Sequence, residues 1–249
     1  MKQWWVSFTA RPRIASLRRR FAPQIAFVRA RLSPGSEFGL RLTLGVLLLI
    51  GATWLFGGVA EDVVTEDPLT KIDAQITRWF RAHATPNVTR YMLIFTHLHG
   101  TIGITLLSLA LALYFLWRKE RYWLLTLFIA VPVGMFLNVV LKQVFLRDRP
   151  SFADPILSLT SYSFPSGHVA SATLFYGVLA AFLVSSLPTW SWRALAAIVA
   201  CLLVVLVGVT RIYLGVHYFS DVVAAAAWST AWLILCLFAM DALRRRRQR

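Results

Sequence analysis

Long apolar stretches constrain this chain more than any other feature. A helix that crosses a bilayer needs about 20 predominantly apolar residues, and 58% of the 249 residues are hydrophobic. The stretches of sufficient length are 39–60, 92–117, 122–142, 169–187, 193–210 and 218–240. We therefore expect an all-α fold, a bundle of six transmembrane helices, rather than a soluble globular domain.

Basic residues cluster at both ends of the chain, which carries a formal net charge of +15. Basic segments beside apolar spans favour the cytoplasmic side, where anionic lipid head groups attract them. Six spans return the chain to the side on which it started, so we expect both termini in the cytoplasm, with anionic head groups as partners. No motif that reads bases accompanies the charge, so we expect no nucleic-acid partner.

Charge and hydropathy divide the chain into a basic N-terminal segment (1–36), a six-span domain (37–241) and a basic tail (242–249). Within the six-span domain, the loop 61–91 opens with acidic residues and should face outward. Apolar and aromatic residues recur in this loop at helical spacing, which predicts an amphipathic helix at the membrane interface. These residues are Ile72, Ile76, Trp79, Phe80 and His83.

A tight turn precedes the fourth apolar stretch, in the sequence Ser-Phe-Pro-Ser-Gly-His-Val-Ala at 163–170. Pro165 fixes a backbone angle, Gly167 permits a close approach, and Ser166 is a good helix cap. A helix that begins near His168 directs free N–H groups outward, which makes an anion site. The alternative is a plain helix cap with an exposed histidine.

Further cations and a histidine–aspartate pair occur at the ends of other apolar stretches. The predicted topology places them all on the outer side of the membrane. They are Lys142, Arg147, Arg149, Arg211, His217 and Asp221. Uncompensated cations at a membrane edge are costly, and a bound anion would offset that cost, with guanidinium groups matching phosphate oxygens. Interfacial anchoring explains single cations, but it does not explain two histidines and an aspartate at the same level.

Three motifs in this order resemble those of the type 2 phosphatidic acid phosphatase (PAP2) superfamily. They are Lys, six residues and Arg-Pro (142–150), Pro-Ser-Gly-His (165–168), and Arg, five residues, His, three residues and Asp (211–221). The resemblance covers the chain from about the second to the sixth span. Thr210 departs from the serine that the family usually has there, but threonine keeps the hydroxyl group.

The resemblance implies a mechanism and a role for each residue. His217 would attack phosphorus and form a phosphohistidine, Asp221 would orient it, and His168 would protonate the leaving oxygen and then activate water. The phosphoryl oxygens would be bound by Lys142, Arg149, Ser166, Gly167 and Arg211. Arg147 is a second-rank candidate for this role. We expect no metal and no other cofactor, because the cations supply the electrophilic clamp and these motifs contain no carboxylate cluster.

Two further histidines, His97 and His99, lie near the predicted outer start of the second span. They could line a substrate entrance or serve a structural role. Metal ligation by the pair is the weaker alternative, since no further ligands accompany them.

These features predict an integral membrane lipid phosphatase of a bacterial inner (plasma) membrane, with its active site facing the exterior or periplasm. The membrane lipid substrates that the resemblance implies are undecaprenyl diphosphate, which we favour by analogy with the family, phosphatidylglycerol phosphate and phosphatidic acid. Alternatives are a lipid phosphotransferase at the same site, a vanadate-dependent haloperoxidase, and a non-catalytic lipid transporter or binder. The sequence leaves the oligomeric state open.

Overall fold

The computed structural model of the protein describes residues 21–23, 39–66 and 68–247, without the side chains of Arg41 and Pro68. The chain divides into two units, 1–48 and 49–249. All contacts of the candidate site described below lie within the second unit. The predicted N-terminal segment 1–36 lies outside the described residues, apart from 21–23.

The all-α prediction is confirmed, since the described part of the chain contains helices and connecting segments but no strand. From residue 40 onward the helices are α1 Leu40–Thr65, α2 Pro68–Ala82, α3 Pro86–Leu98, α4 Thr101–Trp117, α5 Arg121–Phe145, α6 Gly167–Ser186, α7 Trp190–Tyr213 and α8 Phe219–Arg246. The last helix continues into the predicted basic tail, so three of its arginines lie in its final turn.

The predicted second span consists of two helices. Five helices of the described chain, α1 and α5 to α8, are long and apolar enough to cross a membrane, and α3 with α4 would make a sixth span. However, α3 and α4 are bent by 49° relative to each other. A Cβ on Gly103 would lie 1.9 Å from the carbonyl oxygen of Leu98, so this bend depends on glycine. The described residues therefore contain five candidate spans, or six if the bent pair crosses as one.

Helix α5 is interrupted by a π-helical turn over Ile129–Val133. Pro132 lies within this turn; proline lacks an N–H group and clashes with the preceding turn of an α-helix, and a wider turn accommodates it. Immediately afterwards, a Cβ on Gly134 would lie 2.4 Å from the Leu174 side chain on α6. Glycine thus lets α5 and α6 approach closely, which brings the end of α5 next to the start of α6.

Helix α6 lies at the centre of the bundle. Half of its most apolar window is buried, against 6% of the window of α1. Leu174, Phe175, Val178 and Phe182 of α6 pack in one core cluster with residues of α4, α5 and α8. Burial of such apolar surface stabilises the bundle around α6 and so fixes the position of the helix start that carries His168.

Helix α2 forms within the acidic loop, as its amphipathic pattern predicts, and it packs against α7 and α8. The face that it buries against the protein is partly polar. Asp73 and Thr77 are fully buried, whereas Ile72 and Trp79 are exposed. Asp73 of α2 therefore points into the protein beside α8, and part of the apolar face of α2 is not covered by the described protein. That α2 lies at a membrane interface stays a prediction.

Candidate active site

Four helix ends meet on one side of the bundle: the carboxyl ends of α5 and α7 and the amino ends of α6 and α8. The backbone N–H of Ser166 donates to the carbonyl oxygen of Asp221 at 3.1 Å, which ties the start of α6 to the start of α8. Arg149, in the segment after α5, donates to the carbonyl oxygen of Val216 at 2.6 Å. Consequently the structure brings the three sequence motifs together, although they are far apart along the chain.

His217 and Asp221 form a buried pair. His217 Nδ1 lies 3.2 Å from Asp221 Oδ2, and the two side chains are 2% and 0% exposed. His217 lies just before the last helix, which begins at Phe219 with Tyr218 as its cap residue. The reason is that Asp221 reaches back to accept the Tyr218 backbone N–H at 2.9 Å. The same carboxylate therefore caps α8 and holds the imidazole.

This pairing sets the protonation of His217. A carboxylate beside Nδ1 keeps the proton on that nitrogen and leaves a lone pair on Nε2. Burial, together with the nearby charges of Arg149 and Arg211, lowers the pKa of His217 to about 3, although Asp221 acts in the opposite direction. The imidazole is thus neutral near pH 7, as a nitrogen nucleophile must be.

Arg149 contacts the second ring nitrogen of His217, the one that faces away from Asp221. Its Nη1 is 3.2 Å from His217 Nε2. Donation from Nε and Nη2 to Ser161 and Tyr162 holds the guanidinium in a fixed orientation. Burial lowers the pKa of Arg149, and the charge of Asp221 opposes that effect. The arrangement presents a cation at the place where an electrophile would approach Nε2.

Arg211 is a buried cation with few partners. Its side chain is 1% exposed, and Nη1 donates to Thr96 Oγ1 at 2.6 Å. Among the described residues, neither Nε nor Nη2 finds an acceptor, and the hydroxyl of Ser166 is also without a partner. Buried donors are normally satisfied, so this group is suited to bind the oxygens of an anion.

Lys142, in the last turn of α5, is oriented by the segment before α6. Its Nζ donates to the carbonyl oxygen of Tyr162 and, at 3.1 Å, to that of Ser163. An ammonium group has three donors, and these two bonds leave one for a ligand.

His168 lies at the start of α6, where the positive charges of Arg211 and Arg149 act on its imidazole. A Cβ on Gly100 would come within 3.6 Å of His168 Nε2. A Cβ on Gly167 would meet the amide nitrogen of Asn138 at 3.5 Å and Met135 Cε at 4.0 Å, which are ordinary contacts. Packing within the protein therefore does not require glycine at 167, and a role of Gly167 in binding phosphate stays a prediction.

Arg147 differs from the other cations of the motif segments, because it forms ion pairs with two carboxylates. It donates to Asp221 Oδ1 at 2.6 Å and to Asp73 Oδ2 at 2.9 Å. Its guanidinium also lies 4.3 Å from the centroid of the Tyr218 ring. Burial lowers the pKa of Arg147, but the two carboxylates outweigh it, so the pKa is raised. Arg147 thus holds Asp221 in place, and its guanidinium is not available to bind phosphoryl oxygens together with Arg211.

The two additional histidines have different environments. His99 is buried, with Nδ1 2.8 Å from the Phe95 carbonyl oxygen and Nε2 2.8 Å from the Tyr176 hydroxyl. His97 is exposed, and its Nδ1 lies 2.6 Å from the Leu93 carbonyl oxygen. It lines a cavity of about 880 Å³ between α3 and Ile156. The contacts of His99 fit a structural role. None of the residues that line the cavity beside His97 belongs to the three motifs, so an entrance role for His97 stays a prediction.

Sequence reasoning missed several polar residues that complete the site. They are Asp73, Thr96, Asn138, Ser163 and Ser220. The hydroxyl of Ser163 donates to Asp221, and this residue opens the turn sequence that drew attention to the region. Asn138 precedes Lys142 by one helical turn within an apolar span, which is a usable signal. Nothing in the spacing of Asp73 or Thr96 connects them with the motifs.

Several curated relatives match part of the chain. Phosphatidylglycerophosphatase B of Bacillus subtilis is 44% identical over 109 residues, covering 43% of this chain and 53% of the relative. Undecaprenyl-diphosphatase of Sulfolobus acidocaldarius is 34% identical over 118 residues, covering 45% of this chain and 53% of the relative. The chain thus spans about half the length of the curated relatives it matches.

A solved structure matches more extensively. The crystal structure of the transmembrane PAP2-type phosphatidylglycerolphosphate phosphatase from Bacillus subtilis has a TM-score of 0.71 and 31% sequence identity. The match covers 78% of this chain and 96% of that one. The helical arrangement of an integral membrane protein is therefore shared over nearly the whole solved chain.

The family model that describes the PAP2 superfamily matches residues 121–245. That range is half of the chain and contains all three motifs, from Lys142 to Asp221. On this match, and on the shared fold, the chain belongs to the PAP2 superfamily.

Proposed function

We propose that the protein is an integral membrane lipid phosphatase that hydrolyses a lipid phosphate or diphosphate through a phosphohistidine intermediate. The observation that carries the proposal is the state of His217, whose Nδ1 is held by Asp221 while Nε2 lies beside Arg149. A nucleophile, its orienting carboxylate and an electrophilic cation are thus in contact. Binding or transport alone would not need an oriented nucleophile.

In the first step, His217 Nε2 attacks phosphorus and the bond between phosphorus and the leaving oxygen breaks. The leaving oxygen takes a proton from His168, which releases the lipid alcohol or lipid phosphate. The phosphoryl oxygens gain negative charge near Arg149 and Arg211, whose donors stabilise it. As the imidazole becomes positively charged, the hydrogen bond from its Nδ1–H to Asp221 becomes stronger, and the proton stays on Nδ1.

In the second step, water attacks phosphorus on the opposite side from His217. His168, now without its proton, takes one from the water, and the bond between phosphorus and Nε2 breaks. Inorganic phosphate leaves, and both histidines return to their starting states. Lys142 and the hydroxyl of Ser166 are placed to bind the oxygens in both steps.

A membrane lipid is the substrate class that we propose, because the site lies at the ends of spans whose sides would contact bilayer lipid. A lipid tail can remain in the bilayer while its phosphate reaches the helix ends. Relatives are named for phosphatidylglycerophosphate and for undecaprenyl diphosphate, so these are the two substrates to test first. We place the site on the outer side of a bacterial plasma membrane, opposite the basic end of α8.

The test is phosphate release by detergent-purified protein from a panel of lipid phosphates, with EDTA present, because the site's own cations stabilise the transition state. His217→Ala should reduce turnover by about 10⁴-fold or more, as removal of a nucleophile does. Cys201→Ala, an exposed site on α7, is the matched control and should retain full turnover.

The outcomes separate the alternatives. Full activity of His217→Ala would rule out a phosphohistidine intermediate at this residue. Failure of the wild-type protein on every lipid would contradict the phosphatase. Phosphate transfer to an added lipid alcohol in place of release would identify a phosphotransferase. Trapping a phosphorylated protein by denaturing quench at alkaline pH, where the acid-labile bond between phosphorus and nitrogen survives, would support the intermediate directly if the signal is absent in His217→Ala.

A further inference from the structure

Asp73 is a buried carboxylate that no sequence motif contains. It lies on α2, outside the region matched by the family model, and is 0% exposed. Its Oδ1 accepts the backbone N–H of Ser220 at 2.9 Å. Its Oδ2 accepts from Arg147 Nη2 at 2.9 Å and from the Ser220 hydroxyl. A fully buried charge with this many partners is costly to assemble, so its position calls for a role.

One part of that role is at the start of α8. Ser220 is the second residue of the helix, so its N–H has no partner within the helix. The anionic Asp73 satisfies this N–H at the positive end of the helix dipole. Asp221, the next residue, caps the same helix through the Tyr218 N–H. Asp73 therefore fixes the backbone from which Asp221 projects.

The other part is the orientation of Arg147. Its Nη1 donates to Asp221 at 2.6 Å and to the Ser220 hydroxyl at 2.7 Å, while Nη2 donates to Asp73. The Tyr218 ring lies against the guanidinium face. Held at both nitrogens and on one face, Arg147 has a single orientation, and Asp221 Oδ1 is fixed with it. Asp221 Oδ2 then remains directed at His217 Nδ1.

The charges of Asp73, Arg147 and Asp221 also influence one another. Arg147 is shared between two carboxylates, so it neutralises Asp221 only in part. The negative charge left on Asp221 stabilises the imidazolium that forms when His217 attacks. With Asp73 neutral, Arg147 would compensate Asp221 more fully, and the carboxylate would support that charge less well.

We propose that Asp73 is a positioning residue for the phosphoryl-transfer reaction, through which the outer helix α2 completes the active site. It acts through Arg147 and the start of α8 on Asp221, and through Asp221 on His217. This inference rests on the proposed function. It extends the functional site to a segment that precedes the motifs by about seventy residues.

The test is Asp73→Asn. Asparagine has the same shape and can still accept the Ser220 N–H, but its amide group cannot accept from Arg147. We expect kcat to fall about 10- to 100-fold, the usual cost of losing a residue that orients a functional group, with KM changed less than about three-fold. The variant should still unfold in one cooperative transition, although at a lower temperature than the wild type. Asp154→Asn is the matched control, since Asp154 also pairs with an arginine, Arg81, but is 99% exposed. It should keep wild-type kcat.

A double-variant cycle tests the route of action. If Asp73 acts through Arg147, Asp73→Asn should have little further effect on kcat in an Arg147→Gln background. An undiminished effect there would overturn the proposal, as would a wild-type kcat for Asp73→Asn or a loss expressed only in KM. Wild-type protein that releases phosphate from no lipid would instead contradict the proposed function, and the inference would fall with it.

A second variant covers the case in which Asp73→Asn does not fold. Ser220→Ala removes the hydroxyl that bonds both Asp73 and Arg147, and leaves both charges in place. Loss of such a contact should reduce kcat about five-fold without a matching change in KM. Unchanged kcat in folded Ser220→Ala protein would then overturn the proposal.

Discussion

The two sides of the His217 imidazole differ in how completely their polar groups are paired. On the Nδ1 side, the carboxylate side, Asp221, Arg147 and Asp73 form a closed network in which each charge meets an opposite charge. On the Nε2 side, the donor side, the cations have no carboxylate partner, and Arg211 keeps two nitrogens without an acceptor among the described residues. The first side is satisfied by the protein, whereas the second is not.

This contrast separates what holds the nucleophile from what it acts upon. Buried ion pairs with complete partners give a fixed geometry. Buried cations without an anion reduce stability, and proteins keep such groups where function requires them. A substitution on the carboxylate side should therefore damage activity and stability together. A substitution on the donor side should damage activity alone.

The largest effect is expected on the carboxylate side, from Asp221→Asn. The amide leaves Arg147 without one of its two carboxylates and favours the wrong tautomer of His217. We expect phosphate release to fall about 10³- to 10⁴-fold and the midpoint of thermal unfolding in detergent to fall as well. Asp241→Asn on the same helix removes a half-exposed carboxylate and should change neither property. An Asp221→Asn protein with normal activity would break the comparison.

On the donor side, Arg211→Gln should have a somewhat smaller effect on turnover and an opposite effect on stability. Removal of a cation that stabilises the transition state costs about 10²- to 10³-fold in turnover. Unfolding should be unaffected or occur at a higher temperature, because a buried charge without an anionic partner is removed. Glutamine can still donate to Thr96. If the variant unfolds much more easily than the wild type, Arg211 has a structural role, and the two sides are not distinct.

The smallest effect concerns pH. His217 has a pKa of about 3 in the folded protein and an ordinary value of 6.5. As pH falls from about 6.5 towards 3, the unfolded chain binds a proton that the folded protein does not, so stability is lost, while above pH 7 there is no effect. Relative to His217→Gln, the wild type should lose up to about 1.4 kcal/mol of unfolding free energy per pH unit. A pH-independent difference between the two proteins would contradict the burial of a neutral imidazole.

Much of the fold is predictable because its cause is local. Apolar stretches of sufficient length form helices close to the predicted positions, and four of them place Lys142, His168, Arg211 and His217 at ends that meet. The bend between α3 and α4 is not predictable in this way. It depends on the contact between Gly103 and the Leu98 carbonyl, and a glycine within an apolar run gives no sign of the neighbour that requires it.

The site was predictable to the extent that its residues follow motifs with fixed spacing. The role of Arg147 was not, because spacing cannot distinguish an arginine that meets carboxylates from Arg149, two residues later, which meets His217. The burial of Asp73 was unpredictable for a different reason. On α2 the apolar pattern indicates which side avoids water, but the position of α8 decides that a carboxylate is buried there, and that position is set by the tertiary fold.

The contacts of Thr96 and Asp73 also bear on where this enzyme family's recognisable region begins. The family match starts at residue 121, yet Arg211 donates to Thr96 and Arg147 to Asp73, so two of its arginines find their partners upstream. A fragment cut at the border of the match would retain every signature residue and lose the acceptors that orient two of them. A fragment made by truncation or used for grafting must therefore extend upstream of the family match and include α2 and α3.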